Sequence, residues 1–159
     1  MYIRGYSAIV RMRIRRQIMR NKTLFYVLSW TWGIIMTLIG AIVALALIVT
    51  GHKPKKWGYC YYFEVGQGWG GVELGMFFLT SKDASKHTRN HEHGHALQNC
   101  EWGPLMPFVI CIPSAVRYWY REIRSRKGLK NKTKYDDIWF EGDATKRGNE
   151  FMAWYNTLE

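Results

Sequence analysis

The longest signal in the hydrophobic pattern lies near the start of the chain. From Thr23 to Gly51 no charged residue occurs, and the apolar runs Leu24 to Leu28, Gly33 to Met36 and Ala41 to Val49 follow one another. About 20 apolar residues cross a bilayer, so the stretch predicts one transmembrane helix over 23–51, with room for tilt but not for a second crossing. Tyr26, Trp30 and Trp32 near one end suit a membrane–water interface. A buried helix of a soluble core is the alternative. A cleaved signal peptide fits poorly, because the run exceeds an h-region and no small-x-small site follows it cleanly.

Two β-prone runs come next, Tyr59 to Val65 and Val72 to Thr80, with Gly66, Gly68, Gly70 and Gly71 between them. They predict a β-hairpin, either purely structural or an edge along which an extended substrate adds as a strand. Asp83 and Ser85 offer N-caps for a helix from about Ala84 to Cys100, and Gly103 offers its end. Residues 104–120 start apolar but carry Pro104, Pro107 and Pro113. The expectation there is a re-entrant or interfacial segment, or a second span continuing through Tyr120. Trp139, Phe140, Phe151, Met152, Trp154 and Tyr155 are spaced for an amphipathic C-terminal helix.

Composition narrows the setting. The 159 residues suit one domain, and the formal charge is +11. No Asp or Glu precedes Glu64, while ten Lys or Arg do. Such asymmetry suits anionic lipid or nucleic acid. With an uncharged stretch directly following, lipid is favoured, and residues 1–22 read as a basic membrane-surface arm. The excess of Lys and Arg before residue 23 expects a cytoplasmic N-terminus, although the basic stretch 121–134 pulls the other way. Nucleic acid is the weakest partner, since no nucleic-acid motif is present. Cys60, Cys100 and Cys111 are odd in number without C-x-x-C spacing, which expects free buried thiols rather than disulfides or a zinc knuckle.

The candidate chemistry lies in His91-Glu92-His93-Gly94-His95, which contains H-E-x-x-H. On a helix His91 and His95 share a face one turn apart and can reach one zinc ion, with Glu92 as general base. His87 lies a further turn back, but imidazoles on three successive turns spread over roughly 12 Å and cannot share an ion. His93 points away from the metal face. Catalytic zinc takes three protein ligands, and Glu141 on a later helix is the candidate third. Asp143 and Thr145 are placed to hydrogen-bond a ligand histidine. The alternative is that Glu141 and Asp143 only balance nearby Lys and Arg. An oxyanion donor is also needed, and His93, Tyr118 and Tyr120 are open candidates.

These residues resemble a family of small bacterial membrane proteins with an H-E-x-G-H motif and a later T-E-x-x-A-[DN]-x-x-G motif. The matching segments are Gly71 to Phe78, Lys86 to Thr88, His91 to Gln98, Gly103 to Leu105, Ile112 to Ser114, and Glu141 with Ala144 and Gly148. The resemblance covers about residues 60 to 150 and implies a membrane-bound zinc metalloprotease of the bacterial cytoplasmic membrane, with His91, His95 and Glu141 as ligands. Thr145 stands where the family usually has Asp or Asn, and Asp143 where a larger apolar residue is common.

The expected fold class is thus an α+β membrane protein. It has one N-terminal transmembrane helix, a short β-hairpin, a zincin-like active-site helix, a re-entrant or second membrane segment, and a C-terminal ligand-bearing helix. The expected division is an arm 1–22, an anchor 23–51 and a zincin-like domain 52–159. The expected function is zinc-dependent hydrolysis of a protein or peptide substrate at a lipid bilayer. The alternative is a non-catalytic membrane scaffold or binding protein on the same fold. One internal constraint follows. Were 104–120 to cross the bilayer, the motif and Glu141 would stand about 30 Å apart, so the segment only dips or the motif itself lies within the membrane.

Overall fold

The computed structural model describes residues 2–131 and 133–158; Met1, Lys132 (one of the cations of the 121–134 stretch) and Glu159 lie outside the described residues. In chain order the elements are α1 (Tyr2–Arg20), α2 (Lys22–Trp30), α3 (Ile34–Val49), β1 (Lys55–Trp57), β2 (Cys60–Glu64), β3 (Gly71–Leu74), β4 (Phe77–Thr80), α4 (Lys86–Trp102), α5 (Ile112–Arg126) and α6 (Trp139–Tyr155). This is a mixed helical fold with a small four-stranded sheet. It corrects the expected membrane architecture at three places.

The uncharged stretch does not form the predicted single transmembrane helix. α2 and α3 meet at 90°, and no single helix among the described residues is long and apolar enough to cross a membrane. The break has a local and a tertiary cause. The Gly33 N–H closes back on Leu28 O at 2.8 Å, and Asn99 of α4 donates its Nδ2 to Gly33 O at 3.2 Å. A side chain at Gly33 would run into Asn99. The two halves therefore line different sides of the interior. α2 buries Phe25 and Ser29, and α3 buries Met36, Thr37, Gly40 and Ala44. For these residues the lack of charge reflects burial against protein.

The predicted hairpin between residues 59–65 and 72–80 is also corrected. The sheet order is β1-β2-β4-β3, and β2 runs parallel to β4. Two local hairpins replace it, closing at Trp57↔Cys60 and Leu74↔Phe77. Each turn opens on a glycine with positive φ, Gly58 at 57° and Gly75 at 74°, where glycine is the residue that two-residue turns accept. These short closures outcompete pairing across the longer glycine-rich segment, which becomes a crossover. β3 is left at the edge of the sheet.

Residues 104–120 do not form a second membrane-spanning helix; no single helix among the described residues is long and apolar enough to cross a membrane. A tight turn (Gly103–Leu105) and a wide turn (Pro107–Cys111) lead into α5, which continues to Arg126. Proline sits in the opening positions of each of these pieces, where its missing N–H leaves no bond unmade. The prolines thus start new turns.

The motif helix and the C-terminal helix form where expected. Ser85 caps α4 by accepting the Thr88 N–H at 3.2 Å, and Gly103 ends it. Asp83, the other candidate cap, instead accepts the Gly68 N–H at 3.0 Å. α4 is buried from His91 to Cys100. Its crossing with α6 is tight: Gly94 lies on the Ala144 carbonyl and Gly148 on the Asn90 carbonyl. The first helix docks here as well, with Arg15 bonded to Glu101 at 2.9 Å and paired with Asp143 at 3.4 Å, while Arg147 reaches Glu101 at 2.6 Å. Phe25, Tyr59, Phe78, Leu97 and Phe151 fill the main core.

A methyl group at Gly94 would collide with the α6 backbone. Gly94→Ala should therefore lower the unfolding free energy by about 1–3 kcal/mol, measured by chemical denaturation. An unchanged midpoint would show that the two helices do not meet this closely.

Candidate metal centre

The α4–α6 crossing sets the site. His91 and His95 lie one turn apart on the face of α4 turned to α6, and Glu141 enters from the first turn of α6. Both imidazoles converge on one carboxylate oxygen: Glu141 Oε2 is 3.0 Å from His91 Nε2 and 3.2 Å from His95 Nε2. The two Nε2 atoms are 3.1 Å apart. All three residues are buried, and their ligand atoms lie within 4.8 Å of one another, close enough to bind one metal ion.

The far nitrogens are held in a defined way. Gln98 donates its Nε2 to Phe140 O and to Asp143 Oδ2, both at 2.9 Å. Those acceptors fix the amide, so Gln98 Oε1 faces His95 Nδ1 at 2.8 Å and takes its hydrogen. In the neutral ring Nε2 is then the lone-pair atom, the form a metal requires. Thr145 Oγ1 stands 2.8 Å from His91 Nδ1. Thr145 therefore touches a ligand histidine as expected, whereas Asp143 acts one residue removed, through Gln98. Burial pushes the Glu141 carboxyl up, but hydrogen bonds with His91 and His95 outweigh it and hold the group well below the usual carboxylate range. Its second oxygen accepts the Ser114 hydroxyl, which is 3.1 Å from the Tyr135 hydroxyl.

This donor set fits a metal on its chemistry. Two imidazole nitrogens and a carboxylate oxygen face one another with their remaining bonds satisfied from behind, and one carboxylate oxygen alone serves both rings. A cation is what such a cluster of acceptors lacks.

Glu92 lines the same cavity, a space of about 300 Å³ with walls from β3, the Pro107–Cys111 turn, α5 and Tyr135. Burial raises its carboxyl to about 7, the charge of His91 working against this and that of Glu141 with it. The backbone of Gly71 closes over it; a β-carbon there would stand 2.6 Å from Glu92 Oε1. Of the three expected oxyanion donors, Tyr118 reaches the cavity, with its hydroxyl 3.4 Å from Trp69 O. His93 faces the other way. Its ring stacks on Phe151 at 4.0 Å, and its Nε2 accepts the Tyr59 N–H at 3.3 Å. Burial lowers it to about 3. Tyr120 is 61% exposed and lies outside the cavity. His87 stays outside the ligand group.

Tyr135 also lines the cavity, and the sequence reading did not single it out. Its ring centre is 6.2 Å from that of His91, and the guanidinium groups of Arg117 and Arg121 lie 5.9 and 5.8 Å from its ring centre. Burial and the charge of Glu141 push its phenol well above the usual value, so it stays a hydrogen-bond donor. Nothing in its basic surroundings marks it in the linear sequence. Gln98 was findable, since it follows His95 by three residues and shares its helix face.

Comparison with protein-family models, with curated proteins and with solved structures finds no match to this chain. The assignment of the site therefore rests on its own geometry.

Because Gln98 holds the Nδ1 side of His95, Gln98→Ala should weaken metal binding by roughly 10- to 100-fold and His95→Ala should abolish it. Competition with a chromogenic chelator reads both. Equal affinity in Gln98→Ala would remove that residue from the site.

Proposed function

We propose that this chain is a zinc-dependent peptidase. The observation that carries the reading is the convergence of His91, His95 and Glu141 within 4.8 Å, with Glu92 in the same cavity. Two nitrogens and one oxygen suit zinc among the common divalent ions. When bound, zinc supplies a Lewis acid that activates water and polarises a carbonyl. Glu92 accepts the proton of the attacking water and hands it to the leaving amine. Tyr135 offers its hydroxyl to the oxyanion from the cavity wall. Ser114 holds Glu141 in place by bonding the oxygen that does not face the histidines. An extended peptide reaches the site along β3, whose free edge runs beside the cavity.

Glu92→Gln should keep the metal and lose turnover by roughly 10²–10⁴. In the same assay, Tyr135→Phe should lower kcat by roughly 10²–10³ with KM little changed. A zinc-loaded Glu92→Gln protein that cleaves peptides at the full rate would sink the peptidase reading.

The surface supports a bilayer as partner, with the protein lying against it. Ile42, Leu45 and Val49 on α3 and Phe108, Ile112 and Val116 around the start of α5 are all more than half exposed. Arg126, Lys127 and Lys130 at the end of α5 are exposed cations suited to anionic headgroups. The protein should co-float with phosphatidylglycerol-containing vesicles, and Ile42→Asp with Val116→Asp should release it. If the unmodified protein stays in the bottom fraction, the bilayer is not its partner.

A further inference from the structure

The hydrolytic reading leaves one carboxyl of the cavity without a task. Glu73 on β3 lines the same space as Glu92, lies on the strand face shared with Gly71, and is only 5% exposed. Its Oε1 accepts the Gly75 N–H. Its Oε2 has no partner among the described residues. Burial pushes this carboxyl well above the usual range, the Gly75 N–H opposing the shift and the charge of Glu92 adding to it. Thr37 Oγ1, packed against Gly75, is a second buried oxygen without a partner.

A buried carboxyl oxygen without a partner is costly whether the group is protonated or ionised, and the choice of what would satisfy it is narrow. An anion would meet both Glu73 and Glu92. A purely apolar group would leave Glu73 Oε2 unmet. A second metal ion would lack ligands, because among the described residues Glu73, Glu92 and Cys111 do not converge as a ligand group; only His91, His95 and Glu141 do. A primary ammonium carries three donors and a positive charge, and an attached methylene stem suits those apolar side chains.

We propose that this cavity is a specificity subsite for a primary alkylammonium, with the ammonium on Glu73 and its stem against Met106 and Ile110. The proposal deepens the peptidase reading: it names the substrate feature as a lysine side chain or a peptide amino terminus. Glu73 acts by holding that group and takes no part in bond cleavage.

The test is a calorimetric titration of the full-length, zinc-supplemented protein with n-butylammonium, alaninamide and 1-butanol. An ammonium probe should bind roughly tenfold or more tightly than 1-butanol, and Glu73→Gln should remove that preference. n-Butylammonium binding better than alaninamide assigns the lysine side chain; the reverse assigns the amino terminus. Ala115→Phe narrows the cavity from α5 and leaves Glu73 in place, so it too should weaken the ammonium probe, even if Glu73→Gln fails to fold. Equal binding of 1-butanol and both ammonium probes, a preference that survives Glu73→Gln, or unchanged affinity in Ala115→Phe overturns the subsite. The readout is binding alone, so a lack of peptide hydrolysis would end the peptidase reading and leave the subsite standing.

Discussion

His91 Nε2 and His95 Nε2 stand 3.1 Å apart against the same oxygen of Glu141. Three lone-pair donors at that spacing repel one another unless a proton or a cation lies between them. The surrounding structure reads as the means of holding them there. α4 and α6 pack without side chains at Gly94 and Gly148, which brings the two backbones close enough for one carboxylate to reach both rings. Gln98, Thr145 and Ser114 each take one outer atom of the cluster. Arg147 and Arg15 then tie Asp143, the residue that steadies Gln98, to Glu101 and α1. Loosening the crossing would release the repulsion and the metal site together.

Each wall of the cavity comes from a different element. β3 contributes Gly71 and Glu73, α4 the histidines and Glu92, and α5 Ser114 and Tyr118. β3 stands at the edge of the sheet beside the cavity, a position that follows from the pairing of β2 with β4. A single hairpin of residues 59–65 with 72–80 would have changed the sheet order on which that free edge depends. The parallel pairing is thus a condition for the site as well as a detail of topology.

What was legible in the sequence follows from the range of the interactions involved. The spacing of His91 and His95, the Ser85 cap and the Gly103 end are set within one or two helical turns, and all were readable. Glu141 was readable because zinc needs a third ligand and this glutamate lies on the later helix that the sequence predicts. The bend at Thr31 to Gly33 was not, since it depends on Asn99, 66 residues away. An uncharged run has the same composition whether lipid or protein covers it, and here Phe25 and Ser29 of α2 are buried in protein while much of α3 stays bare. Tyr135 was missed for the same reason. Its place in the cavity wall depends on contacts with Ser114 and His91 that no local pattern records.

The separation of the ligands along the chain also bears on how the protein is made. Glu141 lies 46 residues after His95. At about 5–20 residues per second of translation, the histidine pair exists for some seconds before the carboxylate that completes it has been synthesised. During that interval α4 carries two of the three ligands and lacks the helix that buries them. Metal capture by the complete group would therefore come only after α6 has been synthesised and has docked. Loading would then be a late event in biogenesis, and a chain that stalls before residue 141 would offer an ion only its two imidazoles.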